Sequence, residues 1–233
     1  MLVVNPPIAH PARARPLAGT VIGIDPGHNG RNYSDPSFIN HLVWNGRAME
    51  PCDTTGTATD AGYSEAQFNW NVAGFLTRDL RADGARVVLT RHSNSGVGPC
   101  VNTRARILDR ARVNVAVDIH ADGGPPSGRG FAILEPVPDS VNAKVVSASD
   151  RFARTLRTAF LAGTGMPVST YDGVDGLQPR DDLAGLNLTT VPKVLIECGN
   201  MRNGTDARLL SSGAFQRRAA AAMLTAIIGF LGR

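Results

Sequence analysis

The sequence predicts a single α/β domain built on a mostly parallel, twisted sheet of about six strands flanked by helices. Three observations carry this. Apolar, β-branched runs alternate along the chain with stretches of helical period. Those runs are nearly continuous in apolar character, as in strands buried on both faces. The 233 residues also fit one α/β domain, which reaches about 250 residues. A chain of this length buries roughly 70–75% of its unfolded surface and needs no cross-links to fold. At 42% hydrophobic and 19% charged, it is not a disordered chain.

Residues 1–18 carry Pro6, Pro7, Pro11 and Pro16 and read as an extended lead-in to a domain over 19–233. Val21–Asp25, Arg86–Thr90, Val115–Ile119, Phe131–Glu135 and Val191–Glu197 read as strands. Ser64–Asp83 reads as a helix with Phe68, Val72, Phe75, Leu76 and Leu80 as its buried stripe. Ser64 and Gln67 form a capping-box pair at its start, and Gly84 ends it. Asn102–Val113, Ser149–Leu161 and Ala214–Leu231 are three further helices. Residues 26–63 break the rhythm, with a connection of 38 residues. Loops above about 12–15 residues are uncommon and tend to be functional.

In open parallel sheets, ligands bind beyond the carboxyl ends of the strands. His28 follows the first strand, His120 follows Val115–Ile119, and Glu197 ends Val194-Leu195-Ile196. Glu65 lies in the first turn of the first long helix, on its core-facing stripe, and a carboxylate there needs a partner. Each residue alone is ordinary: a hydrogen-bonded histidine, a salt-bridged glutamate, a carboxylate complementing a helix dipole. Together on one rim they supply two imidazoles and a carboxylate, the ligand set of a catalytic zinc with water in the open position. The fourth residue is then a general base for that water. Asp25, Asp118 and Asp122 either orient the imidazoles or are solvent-facing rim carboxylates.

These segments resemble the zinc-dependent N-acetylmuramoyl-L-alanine amidases of the amidase 3 family, over about Gly19 to Leu231. Val21-Ile22-Gly23-Ile24-Asp25-Pro26-Gly27-His28-Asn29-Gly30 is similar to the family's Ile-Asp-Pro-Gly-His-Gly-Gly segment. Val88-Leu89-Thr90-Arg91 resembles its Val-x-x-Thr-Arg, and 106–114 its Arg-x-x-x-Ala-Asn. Asp118-Ile119-His120-Ala121-Asp122 resembles Ser-Ile-His-Ala-Asn, with aspartates where the family more often has Ser and Asn. Pro192 through Asn200 resembles the Pro-x-Val-Leu-x-Glu-x-Gly block. The resemblance implies zinc held by His28, Glu65 and His120, with Glu197 as catalytic acid/base. It implies cleavage of the amide between the lactyl group of N-acetylmuramic acid and L-alanine. The connection 26–63 is longer than the family's usual one. Only a short stretch separates Glu135 from the helix near Ser149, leaving no room for the plugging helix of some relatives. Activity without a dedicated activator is therefore expected.

Two other readings keep the same residues. A zinc carboxypeptidase-like enzyme would need a fixed cation for the substrate's terminal carboxylate, and Arg91, Arg129 and Arg180 are the residues to inspect. A non-catalytic wall-binding or activator module would keep only the fold. The chain shows no Gly-rich phosphate loop, His-Glu-x-x-His helix or serine nucleophile elbow.

The net charge is +4 and the isoelectric point near 9.3. All basic residues except Lys144 and Lys193 are Arg, scattered rather than patched, and aromatics make up only 6%. Both facts argue against nucleic acid as a partner. The uncharged run Ala219–Leu231 is too short to enter a bilayer, which takes about 20 residues. His10, His41 and His92 match no metal spacing; reach into the groove by His41 and a peptide-stem contact by Arg180-Asp181-Asp182 are each set against an ordinary surface role. With no added wall-binding domain visible, muropeptide fragments are the expected partners and a monomer the expected state.

Cys198 continues an apolar strand and reads as a small buried hydrophobe. Cys52 and Cys100 lie in loops that both leave carboxyl ends of strands, which predicts a disulfide between them. The competing reading is three free thiols in a reducing cytoplasm. Residues 1–9 show no signal peptide. The expected location is nonetheless secreted, periplasmic or wall-associated, following the disulfide.

Overall fold

The computed structural model describes residues 15–233. Most of the expected lead-in, with His10, lies outside them. Residues 15–18 form a turn in which Leu17 is fully buried and donates its N–H to Asp83 O.

The strands are β1 Val21–Pro26, β2 Leu42–Trp44, β3 Met49–Pro51, β4 Arg86–Leu89, β5 Val115–Asp122, β6 Ala132–Pro136, β7 Leu177–Arg180 and β8 Lys193–Asn200. The α-helices are α1 Pro36–Ile39, α2 Glu65–Ala82, α3 Val101–Ala111, α4 Val146–Thr164, α5 Ala184–Asn187, α6 Gly204–Leu210 and α7 Gly213–Phe230. Six strands form the main sheet in the order β4-β1-β5-β8-β6-β7. β4, β1, β5 and β8 run parallel. β6 pairs antiparallel with β8, and β7 parallel with β6, so two strands at one edge are reversed.

Side-chain alternation divides the interior in two. Ile22, Ile24, Val115, Val117, Ile119, Ile133, Val194 and Ile196 face a large core under α2, α4 and α7. The other face carries Ala116, Ala132, Leu134 and Leu195 against Leu108 of α3 and Leu186 of α5. Gly23 lies on this second face, where a Cβ would come 2.7 Å from Leu108 Cδ2, so glycine lets α3 close onto β1. The same face carries Asp25, Asp118, His120, Lys193 and Glu197, each an even number of residues from an apolar contact of α3 or α5. One face of the sheet is thus a hydrocarbon core and the other is a thin, charged layer.

The connection 26–63 is folded: it holds a 3-10 turn, α1 and the β2–β3 hairpin. Its Cys52 is bonded to Cys100, the residue before α3, across 48 residues of sequence. The bond lies among Val43 and Val101 and fastens the hairpin segment onto α3. By loop entropy, its reduction is expected to cost about 4 kcal/mol. Urea melts with and without a dithiol reductant measure this, and coincident midpoints would contradict it. Cys198 is free and buried.

At the start of α2, Ser64 Oγ accepts from Gln67 N at 3.3 Å, the expected cap. The reciprocal half of the box is absent. The Gln67 side chain instead donates to Asn71 Oδ1 one turn along α2 and accepts from Asn94 Nδ2, the bond that fastens α2 to the loop after β4.

Candidate metal centre

β1, β5 and β8 lie side by side, so the residues at their carboxyl ends share one rim. His28 turns into the site through a left-handed backbone, φ +57°, a conformation that histidine adopts more readily than most residues. His120 and Glu197 are register partners on adjacent strands. Glu65 enters from the first turn of α2.

The Glu65 carboxylate bridges the two imidazoles. Its Oε2 lies 3.1 Å from His28 Nε2 and its Oε1 2.7 Å from His120 Nδ1. The rings meet nearly perpendicular with centroids 4.8 Å apart. One donor atom from each of the three residues falls within 4.8 Å of the others. Thr57 N and Ala121 N donate to the same carboxylate at 2.9 and 3.3 Å, which holds it in place. The outer nitrogens also have partners. His28 Nδ1 is 3.1 Å from Thr54 O and 3.5 Å from Asp53 Oδ1. His120 Nε2 is 3.3 Å from Asp118 Oδ1, an ion-pair contact rather than an aligned hydrogen bond.

Burial alone would lower His28, yet the Glu65 carboxylate and Asp53 raise it to about 9. Burial would raise Glu65, and the two imidazoles instead hold it well below the carboxylate range. Such a cluster attracts positive charge. Glu197 behaves oppositely: burial, then the Glu65 and Asp122 charges, push it up to about 8 against the pull of the imidazoles. Its Oε2 is buried with no hydrogen-bond partner.

Beneath the imidazoles lies a buried ionic layer. Lys193 Nζ is 2.7 Å from Asp25 Oδ2 and 3.0 Å from Asp118 Oδ2. Arg104 is 3.1 Å from Asp25 and 3.0 Å from Asp53, and it also donates to the carbonyls of Pro26 and His28. Thr90 Oγ1 donates to Asp25. Asp25 therefore neither orients His28 nor faces solvent, because alternation along β1 directs it under α3. Asp118 does approach an imidazole, while Asp122 accepts the Tyr171 hydroxyl at 2.7 Å. A cavity of about 220 Å³ borders His28, His120 and this layer, walled by Val101, Leu183, Leu186 and Leu195.

The layer makes a pH prediction. Lys193 and Arg104 hold Asp25 far below its unfolded value despite burial, so its stabilisation is present above about pH 4 and is lost as pH falls. Asp118 and Asp25 raise Lys193, so its stabilisation is full below about pH 10 and is lost above it. The contribution of this Asp25–Lys193 pairing is flat between those limits and is lost beyond them, while His28, raised to about 9, and Glu197, raised to about 8, make Tm decline already as pH climbs from about 5 towards 9. Asp25→Ala is expected to cost about 3–5 kcal/mol at neutral pH, since it leaves buried cations unpaired. A variant as stable as wild type would refute the pairing.

The remaining predicted residues lie elsewhere. His41 stacks edge-on against Phe38 and abuts Cys100 Sγ at 3.6 Å, away from the ligand cluster. Arg91 is buried, with its donors spent on the carbonyls of Pro26, Gly27, Ala66 and Ser93 and on Asn94. Arg129 is paired with Asp206, and Arg180 holds Asp182 in a two-point pair. All three arginines weighed as carboxypeptidase anchors are thus already engaged. Sequence reasoning missed Asp53, Arg104 and Lys193. The readable signal was Lys193 itself, a lone ammonium in an apolar strand run, which requires a buried counter-charge.

An α/β sheet whose rim gathers two imidazoles, a carboxylate and a separate buried acid has the make-up of a metal-assisted hydrolase. Residues 22–229 match the Amidase_3 family model, described as N-acetylmuramoyl-L-alanine amidase, and the chain belongs to that family of peptidoglycan amide hydrolases. It is 42% identical over 228 residues to N-acetylmuramoyl-L-alanine amidase Rv3717 of Mycobacterium tuberculosis, covering 97% of this chain and 92% of that one. The structure is similar to that of the amidase Ami1 from Mycobacterium smegmatis, with TM-score 0.88, 42% identity and coverage of 93% and 98%. It is also similar to the apo form of Ami1 from Mycobacterium abscessus, with TM-score 0.87, 41% identity and coverage of 92% and 100%. Among the described residues, no helix is long and apolar enough to cross a membrane.

Proposed function

We propose that this amidase works as a zinc enzyme, with His28 Nε2, a Glu65 oxygen and His120 Nδ1 as the ligands and Glu197 as acid/base. The observation that carries this is the convergence of three donor atoms within 4.8 Å beside the unpartnered Glu197 Oε2. The charges fit a divalent ion. Asp25, Asp53, Asp118 and Glu65 set four carboxylates against Arg104, Lys193 and Arg91, an excess of negative charge that a bound cation offsets. A bound zinc polarises a carbonyl oxygen and makes a water molecule more acidic. The protein's own residues do the rest. Glu197 accepts the proton of the attacking water and returns it to the departing L-alanine nitrogen. Thr54 O holds the outer nitrogen of His28, the Asp118 charge faces that of His120, and both keep the inner nitrogens turned to the site.

Small muropeptides are the proposed substrates, acted on without an activator by a monomer. The connection from β6 to α4, residues 137–145, consists of turns, which supports an open site. The Cys52–Cys100 disulfide supports a secreted, periplasmic or wall-associated location. Metal analysis together with mass spectrometry of muramyl dipeptide digests tests the reading. Expected products are free N-acetylmuramic acid and an intact dipeptide from zinc-loaded protein alone. A shortened peptide still joined to the sugar, or silence until a second protein is added, would count against it.

A further inference from the structure

We infer that Lys193 is a positioning residue of the metal centre: through Asp118 it selects which nitrogen His120 presents to the ion. This rests on the zinc reading above. Lys193 opens β8, and its side chain is 0% exposed. A buried ammonium is costly unless it is fully paired, and Asp25 at 2.7 Å and Asp118 at 3.0 Å pair it. The packing is tailored to it. Gly185 of α5 passes directly overhead, where a Cβ would come 3.0 Å from Nζ and 3.4 Å from Asp118 Oδ2.

Asp118 uses its two oxygens on different groups. Oδ2 takes the lysine, and Oδ1 stands 3.3 Å from His120 Nε2. The negative charge held there, close to Nε2 though not aligned as a hydrogen bond, favours a proton on Nε2 once an ion replaces the proton on Nδ1. Nδ1 is the nitrogen that faces Glu65 at 2.7 Å. A matching arm serves the other imidazole with opposite nitrogens. Arg104 fixes Asp53, Asp53 Oδ1 stands 3.5 Å from His28 Nδ1, and Nε2 faces Glu65. The two arms meet at Asp25, which takes both Lys193 and Arg104. Without its lysine, Asp118 would lose its fixed partner and His120 would present either nitrogen.

The test measures zinc affinity of folded, zinc-stripped protein by competition with a chromophoric chelator, alongside ¹⁵N shifts of the His120 ring in the zinc-loaded protein. Lys193→Met is expected to bind zinc about 10–100-fold more weakly and to show mixed His120 tautomers. Where that variant folds poorly, Lys193→Met with Asp25→Asn removes a cation and an anion together, keeps the interior balanced and carries the same expectation. A merely structural lysine would lower Tm and leave both readouts unmoved. A folded variant with wild-type zinc affinity and tautomer therefore overturns the inference. Wild-type protein that takes up no zinc overturns the metal reading itself, a distinguishable result.

Discussion

Glu197→Gln is expected to lower turnover about 10³-fold while zinc content and fold stay unchanged. General acid–base groups contribute about 10²–10⁴-fold, and Glu197 has the position for both halves of the proton transfer. It lies across from His120 in strand register, and its Oε2 is buried without a partner. Its carboxyl, pushed up to about 8 by burial and neighbouring charge, can both receive and release a proton near neutral pH. Glutamine keeps the shape and loses the proton shuttle. Steady-state kinetics separate the roles, because a residue that only binds substrate would raise KM at constant kcat. Full kcat in a zinc-loaded Glu197→Gln enzyme would remove Glu197 from the proton transfer.

Gly27→Ala is expected to weaken zinc binding at least about 100-fold by displacing one ligand. Gly27 does not have a left-handed backbone, so alanine meets no conformational penalty there. The obstacle is the His120 ring: a Cβ would lie 2.1 Å from Cε1, 2.2 Å from Nε2 and 2.7 Å from Nδ1. The peptide cannot slide away. Gly27 N donates to Ile119 O at 3.0 Å, while its carbonyl accepts from Asn69 Nδ2 at 3.1 Å and from Arg91. The imidazole must therefore move and lose its approach to Glu65. Zinc per chain, by elemental analysis of the purified variant, decides this, and wild-type content would falsify the steric argument.

Much of this architecture was legible because its signals are local. Strands such as Val115–Ile119 and Val191–Glu197 announce themselves by apolar runs, and α2 by its stripe and its serine cap. The parts that were not legible have short or tertiary causes. β7 is Leu-Gln-Pro-Arg, four residues with a proline, and the β2–β3 hairpin has three residues per strand. The reversal of β6 against β8 depends on pairing partners that no local pattern encodes. In the site, His28, His120 and Glu197 were readable from their places at strand ends, and Glu65 from a carboxylate on an apolar stripe. The layer behind them was not. Lys193 and Asp25 stand 168 residues apart, and Arg104 and Asp53 stand 51 apart. Their partnership exists only once the sheet has closed. Asp25 was misjudged because its nearness to His28 in sequence counts for less than the side of β1 from which it projects.

The last strand of the sheet is also one of its innermost, inserted between β5 and β6. A growing chain that has made everything up to Thr190 already holds both imidazoles and Glu65, yet its sheet is still two separate pieces. Glu197, the proposed acid/base, and Lys193 arrive together on the strand that joins them. A chain that stops before Lys193 therefore lacks both Glu197 and the strand that joins the two parts of its sheet.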